Sequence, residues 1–109
     1  MSAKLPKTVA AYVEAYNARN REASAACFLE NALVHDEGKN YQGRKAIGDW
    51  IGETIEKYQP ILTSGKFEGS DRKTVVAMTV SGSFPGSPVT LSFRFTIEDS
   101  GIIDLSIVP

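Results

Sequence analysis

The stretch NALVHDEGKNYQGRKAIGDW, residues 31–50, changes its apolar period partway along, and that change decides the fold class. In ALVHDE, Ala32, Val34 and Asp36 project to one side of an extended chain while Leu33, His35 and Glu37 project to the other. EGKNYQG then reads as a turn or ragged hairpin. From about Arg44 to Tyr58 the apolar residues Ile47, Trp50, Ile51, Ile55 and Tyr58 recur at helical spacing, so a strand gives way to a long amphipathic helix. Gly48 and Gly52 sit inside that helix at a cost of about 1 kcal/mol each against alanine, which implies close packing of its backbone on a sheet.

Outward from this stretch the two halves differ. On the N-terminal side, LPKTVAAYVEAYNARN places Val9, Tyr12, Val13 and Tyr16 on one stripe of a helix running from about Pro6 to Arg19. REASAACFLEN reads as a short second helix, with Ala23, Ala26, Cys27 and Phe28 turned inward. On the C-terminal side, beyond Pro60, four segments alternate with period two: ILTSGKFEG, KTVVAMTVSGSF, VTLSFRFTIE and GIIDLSIV, separated by SDR, PGSP and DSG. Helices first and strands after predict an α+β fold: a curved mixed or antiparallel sheet packed on three N-terminal helices. In the last strand both faces carry apolar groups, Ile103, Leu105 and Ile107 on one and Ile102 and Val108 on the other. That implies cover on both sides, by helices on one and by a second subunit on the other.

A chain of 109 residues with 42% apolar and 23% charged residues is expected to form a single domain, residues 1–109, with one core. A formal charge of −1 gives no electrostatic reason to bind nucleic acid or an anionic membrane. No stretch approaches the roughly 18 apolar residues of a membrane span, and the N-terminal MSAKLPK has no apolar leader core. Cys27 is the only cysteine and His35 the only histidine, so neither an internal disulfide nor a thiolate or imidazole zinc cage can form. The expectation is a cytoplasmic protein without cofactor or metal, whose partner is a small molecule or another protein.

Of the titratable residues, His35 points away from Asp36 by strand parity, so the two cannot form a relay, and no G-x-S-x-G elbow exposes a serine. Asp36 shares its face with Val34. It is either a structural acid satisfied by Trp50, a tyrosine or the following turn, or a general base whose pKa an apolar pocket raises. Asp104 is either a solvated strand residue or a second pocket acid. GSFPGSP lacks a following lysine and helix, so it is a hairpin connection and not a phosphate loop.

The order helix, short helix, strand, turn, long helix and strand meander, carried by VAAYVEAYNARN, CFLENALVHDEG…YQGRKAIGDW and VSGSFPGSPVTLSFRFTIEDSGII, resembles the SnoaL-like group of the nuclear transport factor 2-like superfamily. The resemblance covers almost the whole chain. It implies a cone, a strongly curved sheet around the helices, with a pocket at the open end and a homodimer joined through the outer face of the sheet. Laid against ketosteroid isomerase, YVEAYNARNREASAACFLENALVHD matches without a gap, which puts Tyr12 on the oxyanion-hole tyrosine and Asp36 on the base. The third member, a protonated aspartic acid, is Phe93 here. The implied pocket holds Asp36 and Tyr12 among Tyr16, Val34, Trp50, Met78, Phe93 and Phe95, a cup for a small hydrophobic molecule. Two functions stay open: a cofactor-independent isomerase or cyclase that abstracts a proton next to a carbonyl, and a non-catalytic ligand-binding or dimerisation module of the same fold.

Overall fold

Nine elements follow one another along the chain: α1 (Lys7–Asn17), α2 (Arg21–Ala26), β1 (Phe28–Asp36), β2 (Lys39–Gln42), α3 (Arg44–Tyr58), β3 (Ile61–Gly69), β4 (Lys73–Ser81), β5 (Val89–Glu98) and β6 (Gly101–Val108). The computed structural model describes residues 5–109; residues 1–4, which begin the N-terminus read above as lacking a leader, lie outside the described residues. The six strands form one open sheet in the order β2-β1-β6-β5-β4-β3. β1 and β6 run parallel and every other neighbouring pair is antiparallel, so the sheet is mixed. Three register shifts, in β1/β6, β3/β4 and β5/β6, add twist and bend the sheet around the helices.

The inner face is the apolar parity predicted for β5. Phe93, Phe95 and Ile97 are buried with Val76 and Met78 of β4, Leu105 of β6 and Ala32 and Val34 of β1. Against them lie Val9, Tyr12 and Tyr16 of α1 and Ile47, Trp50 and Ile51 of α3. Tyr12 is the hub: its ring meets Phe28 edge-on at 5.5 Å, Phe95 at 6.0 Å and Tyr16 at 5.9 Å, geometries that add to area burial.

Four local readings are corrected. The second helix stops at Ala26, and its buried residues are Ser24 and Ala25, while Ala26 is exposed. Chain extension begins at Phe28 because that ring sits in the Tyr12 cluster and its backbone pairs with Ile102. The irregular run that follows does not waste its carbonyls: Arg44 donates twice to Phe28 O, and Gln42 and Gly43 donate to Asn31 O and Ala32 O. EGKNYQG, in turn, is a regular two-residue hairpin. Asp36 pairs with Lys39 across Glu37 and Gly38, both with positive φ (53° and 76°), as a type I′ turn requires.

The third correction concerns β6, whose two-sided apolar pattern comes from the bulge. Ile97 pairs with Ile102 but Thr96 pairs with Asp104, so the parity switches at Ile103. Ile102 and Leu105 are thereby both fully buried within one chain. The fourth concerns the α3 glycines, which face α2 and not the sheet: a Cβ on Gly48 would lie 3.6 Å from the Ala25 Cβ, and one on Gly52 would lie 3.0 Å from the Arg21 side chain. Since 3.6 Å is ordinary contact, Gly48→Ala is expected to stabilise the fold by about 0.5–1 kcal/mol. Chemical denaturation with an unchanged m-value checks this.

The link from α3 to β3 is held by side chains of the YNARN segment. Asn17 donates to Leu62 O and accepts from Leu62 N, both at 2.8 Å, so its amide acts as a short length of strand. Arg19 donates to the carbonyls of Pro60 and Gln59. Because Leu62 is buried, Asn17→Ala leaves two backbone groups without partners and is expected to cost roughly 1–3 kcal/mol in an equilibrium unfolding measurement.

Candidate functional site

At the open end of the sheet a cavity of about 440 Å³ lies between α1, α3 and the inner faces of β1, β2, β4, β5 and β6. Its floor is the Tyr12 and Tyr16 side chains, its walls include Trp50, Leu91, Phe93 and Ile107, and Tyr58, Phe84 and Pro85 stand at the mouth. Each is placed by an element already described: inward parity for β5 and β6, the apolar stripe for α3, and the β4–β5 connection for Phe84 and Pro85.

Asp36 ends β1 on the inner parity, with its carboxylate in the cavity wall. The Trp50 indole N–H donates to Asp36 Oδ2 at 3.2 Å. Among the described residues this is the one side-chain hydrogen bond of the carboxylate. Its pKa is raised above the ordinary aspartate value, chiefly by burial; the Trp50 hydrogen bond lowers it and the Glu37 charge raises it. Tyr12 is 1% exposed, and among the described residues its hydroxyl has no hydrogen-bond partner. Since no buried polar side-chain atom among those residues is unsatisfied, that hydroxyl opens on the cavity. Burial, then the charges of Tyr16, Asp36 and Cys27, raise its pKa well above the ordinary tyrosine value, so it is a neutral donor at any working pH.

Tyr16 is oriented differently. Thr54 donates its hydroxyl hydrogen to Ile51 O at 2.9 Å, so in the 3.0 Å contact between Tyr16 Oη and Thr54 Oγ1 the tyrosine donates. Towards the cavity Tyr16 therefore offers only lone pairs.

Of the residues read from the sequence, Tyr12, Tyr16, Asp36, Trp50 and Phe93 share this cavity. Val34, Met78 and Phe95 do not line it; at 0%, 0% and 2% exposure they form the packed layer behind the wall. Sequence reading missed Tyr41, Tyr58, Phe84, Leu91 and Ile107 as lining residues. For Tyr41 a signal existed: once the turn is placed at Glu37-Gly38, Tyr41 pairs with Val34 and must face inward. It stacks on Trp50 with centroids 5.7 Å apart. His35 lies on the opposite face, with Nδ1 2.6 Å from Asn40 Oδ1 and Nε2 3.7 Å from Asp104 Oδ2. Asp104 is thereby an outer-face residue and not a second pocket acid.

No helix among the described residues is long and apolar enough to cross a membrane, and no cluster of three or more His, Cys, Asp or Glu among them could hold a metal ion.

The chain is similar to known proteins over nearly its whole length. The family model of the SnoaL-like domain matches residues 9–104. A crystal structure from Sinorhizobium meliloti, provisionally named a polyketide cyclase, is 36% identical, with a TM-score of 0.90 and 94% of each chain covered. A hypothetical protein of ketosteroid isomerase-like fold from Catenulispora acidiphila, solved with trimethylamine, is 18% identical, with a TM-score of 0.85, covering 97% of this chain and 87% of that one. A computationally designed 17-OHP binder is 15% identical, with a TM-score of 0.80, covering 94% and 87%. A search of curated proteins finds no match.

Proposed function

The chain belongs to the SnoaL-like domain family, and from that premise we propose that it is a cofactor-independent acid–base enzyme of the isomerase or cyclase type, acting on a small, largely hydrophobic carbonyl compound. Asp36 takes a proton from the carbon next to the carbonyl, and Tyr12 donates to the oxygen as it becomes an enolate. Trp50 fixes one carboxylate oxygen so that the other faces the carbon. Asp36 then returns the proton, to a different carbon in an isomerisation or to the oxygen of a newly closed ring in a cyclisation.

One observation carries this reading: a half-buried carboxylate with a raised pKa shares a cavity with the hydroxyl of a buried tyrosine, which opens on that cavity and has no protein partner among the described residues. Either group alone is commonplace; a base and an unspent donor over one cavity are what enolisation needs. Phe93 lies where a second donor would be, and Tyr16 has already committed its hydrogen, so the oxyanion receives one hydrogen bond and turnover is slow. The test is to incubate the protein in deuterium oxide with enolisable cyclic ketones and polyketide-like compounds and to follow deuterium incorporation. Exchange absent across the panel, or retained in Asp36→Asn, would overturn the proposal.

The second reading, a ligand-binding module without chemistry, draws support from the two structures of this fold named above for trimethylamine and 17-OHP. It replaces the first if ligands bind and no exchange occurs. The proposal also includes a homodimer through the outer sheet face, where Leu33, Val75 and Val108 stand among serine and threonine side chains and the polar groups of His35, Arg94 and Asp104. Sedimentation is expected to show twice the chain mass, and a monomer at micromolar concentration would overturn it. The single free Cys27 fits a reducing compartment, so the cytoplasm is the proposed location.

A further inference from the structure

The mouth of the cavity is chemically unlike its floor. Tyr41 and Trp50 form a stacked pair on one side, and the carboxylates of Asp36, Glu37 and Glu53 line the same region. Burial, then the charges of Asp36, Glu53 and Glu37, raise the pKa of the Tyr41 hydroxyl. Two lysines also line the cavity. Lys57, one turn after Glu53 on α3, stands 5.1 Å over the Tyr58 ring. Lys39 is exposed, sits opposite Asp36 across the β1–β2 turn and makes no ion pair with it. Glu37 and Glu53 have no ion-pair partner among the described residues. Deeper in, the fully buried Tyr12 aims its unpartnered hydroxyl into the same space, which marks the cavity as built for a ligand.

We propose that the ligand is a carbonyl compound carrying an amine or quaternary ammonium group, its carbonyl at Tyr12 and its cation between the Tyr41–Trp50 stack and the Glu37 and Glu53 carboxylates. The inference rests on the acid–base reading only in taking the carbonyl to the Tyr12 end. A cation over aromatic faces is attracted to their electron density, and the attraction grows as water is excluded. Two unpaired carboxylates at the rim add a field of the right sign. A neutral chain would gain only from leaving water, and an anion would be repelled.

Trp50 is the only tryptophan, so its fluorescence reports on this subsite directly. The probes are three ketones of matched shape: 5-(trimethylammonio)pentan-2-one, its neutral carbon isostere 6,6-dimethylheptan-2-one, and 5-oxohexanoate. The ammonium ketone is expected to bind the full chain about tenfold more tightly than the neutral one, with the anion weakest. In the double variant Glu37→Gln/Glu53→Gln that preference should fall to about threefold or less, while the neutral ketone binds as before. Equal or tighter binding of the neutral or anionic ketone overturns the proposal, as does a preference that survives the double substitution. Deuterium exchange is read on the same three ketones. Exchange without cation preference removes this subsite alone, and cation preference without exchange removes the catalytic reading alone.

Discussion

Asp36→Asn is expected to slow deuterium exchange on any ketone the protein turns over by about 10²–10⁴-fold, the range that a positioned general base supplies. The same substitution should make the protein more stable at neutral pH. Burial raises the Asp36 pKa in the folded state, so the unfolded chain gives up this proton first as pH rises. The ionised carboxylate therefore destabilises the fold progressively, from the ordinary aspartate value of about 4 up through the higher folded value, and by the full amount above both. Asparagine has no such term. The variant's advantage in a thermal melt should be absent in acid and grow through that window. Its amide oxygen can still accept from the Trp50 indole N–H, which keeps the local geometry. Lower activity together with higher stability is the signature of a group held for function; lower stability would make Asp36 a structural acid.

What the sequence made legible follows from what each pattern encodes. The period change between Val34 and Ile47 and the strict alternation from Val89 to Ile97 give face as well as type, and both match the buried residues. The side of β1 that bears Asp36 was readable for the same reason, and so was the opposite orientation of His35. Depth was not. Val34, Met78 and Phe95 have the inner parity, but parity cannot distinguish a cavity wall from the layer packed behind it. The β6 bulge was also hidden, since one unpaired residue at Ile103 inverts the parity that a linear reading extends. Gly48 and Gly52 signalled close packing without naming the neighbour, which is α2. Tyr41 was lost with its strand, because four residues between two glycine-bearing turns are too few to show a period.

Tyr12→Phe is expected to lower kcat by about 10²–10³-fold, the loss seen when one oxyanion donor is removed, with little change in KM. The ring is what the fold uses: it stays in edge contact with Phe28 and Phe95, and the hydroxyl has no protein partner to be orphaned, so stability should change by about 0.5 kcal/mol or less. Removal of a buried hydroxyl commonly destabilises a protein; here stability should hold while turnover fails. A ground-state carbonyl accepts a hydrogen bond weakly and an enolate oxygen strongly, which is why the loss belongs in kcat. Phe93 has no donor to offer, and Tyr16 donates to Thr54. Base and donor act on one enolisation, so the double variant Asp36→Asn/Tyr12→Phe should be hardly slower than the worse single one. If the two losses multiply instead, base and donor contribute independently to the transition state and do not work as the single unit the proposed mechanism requires.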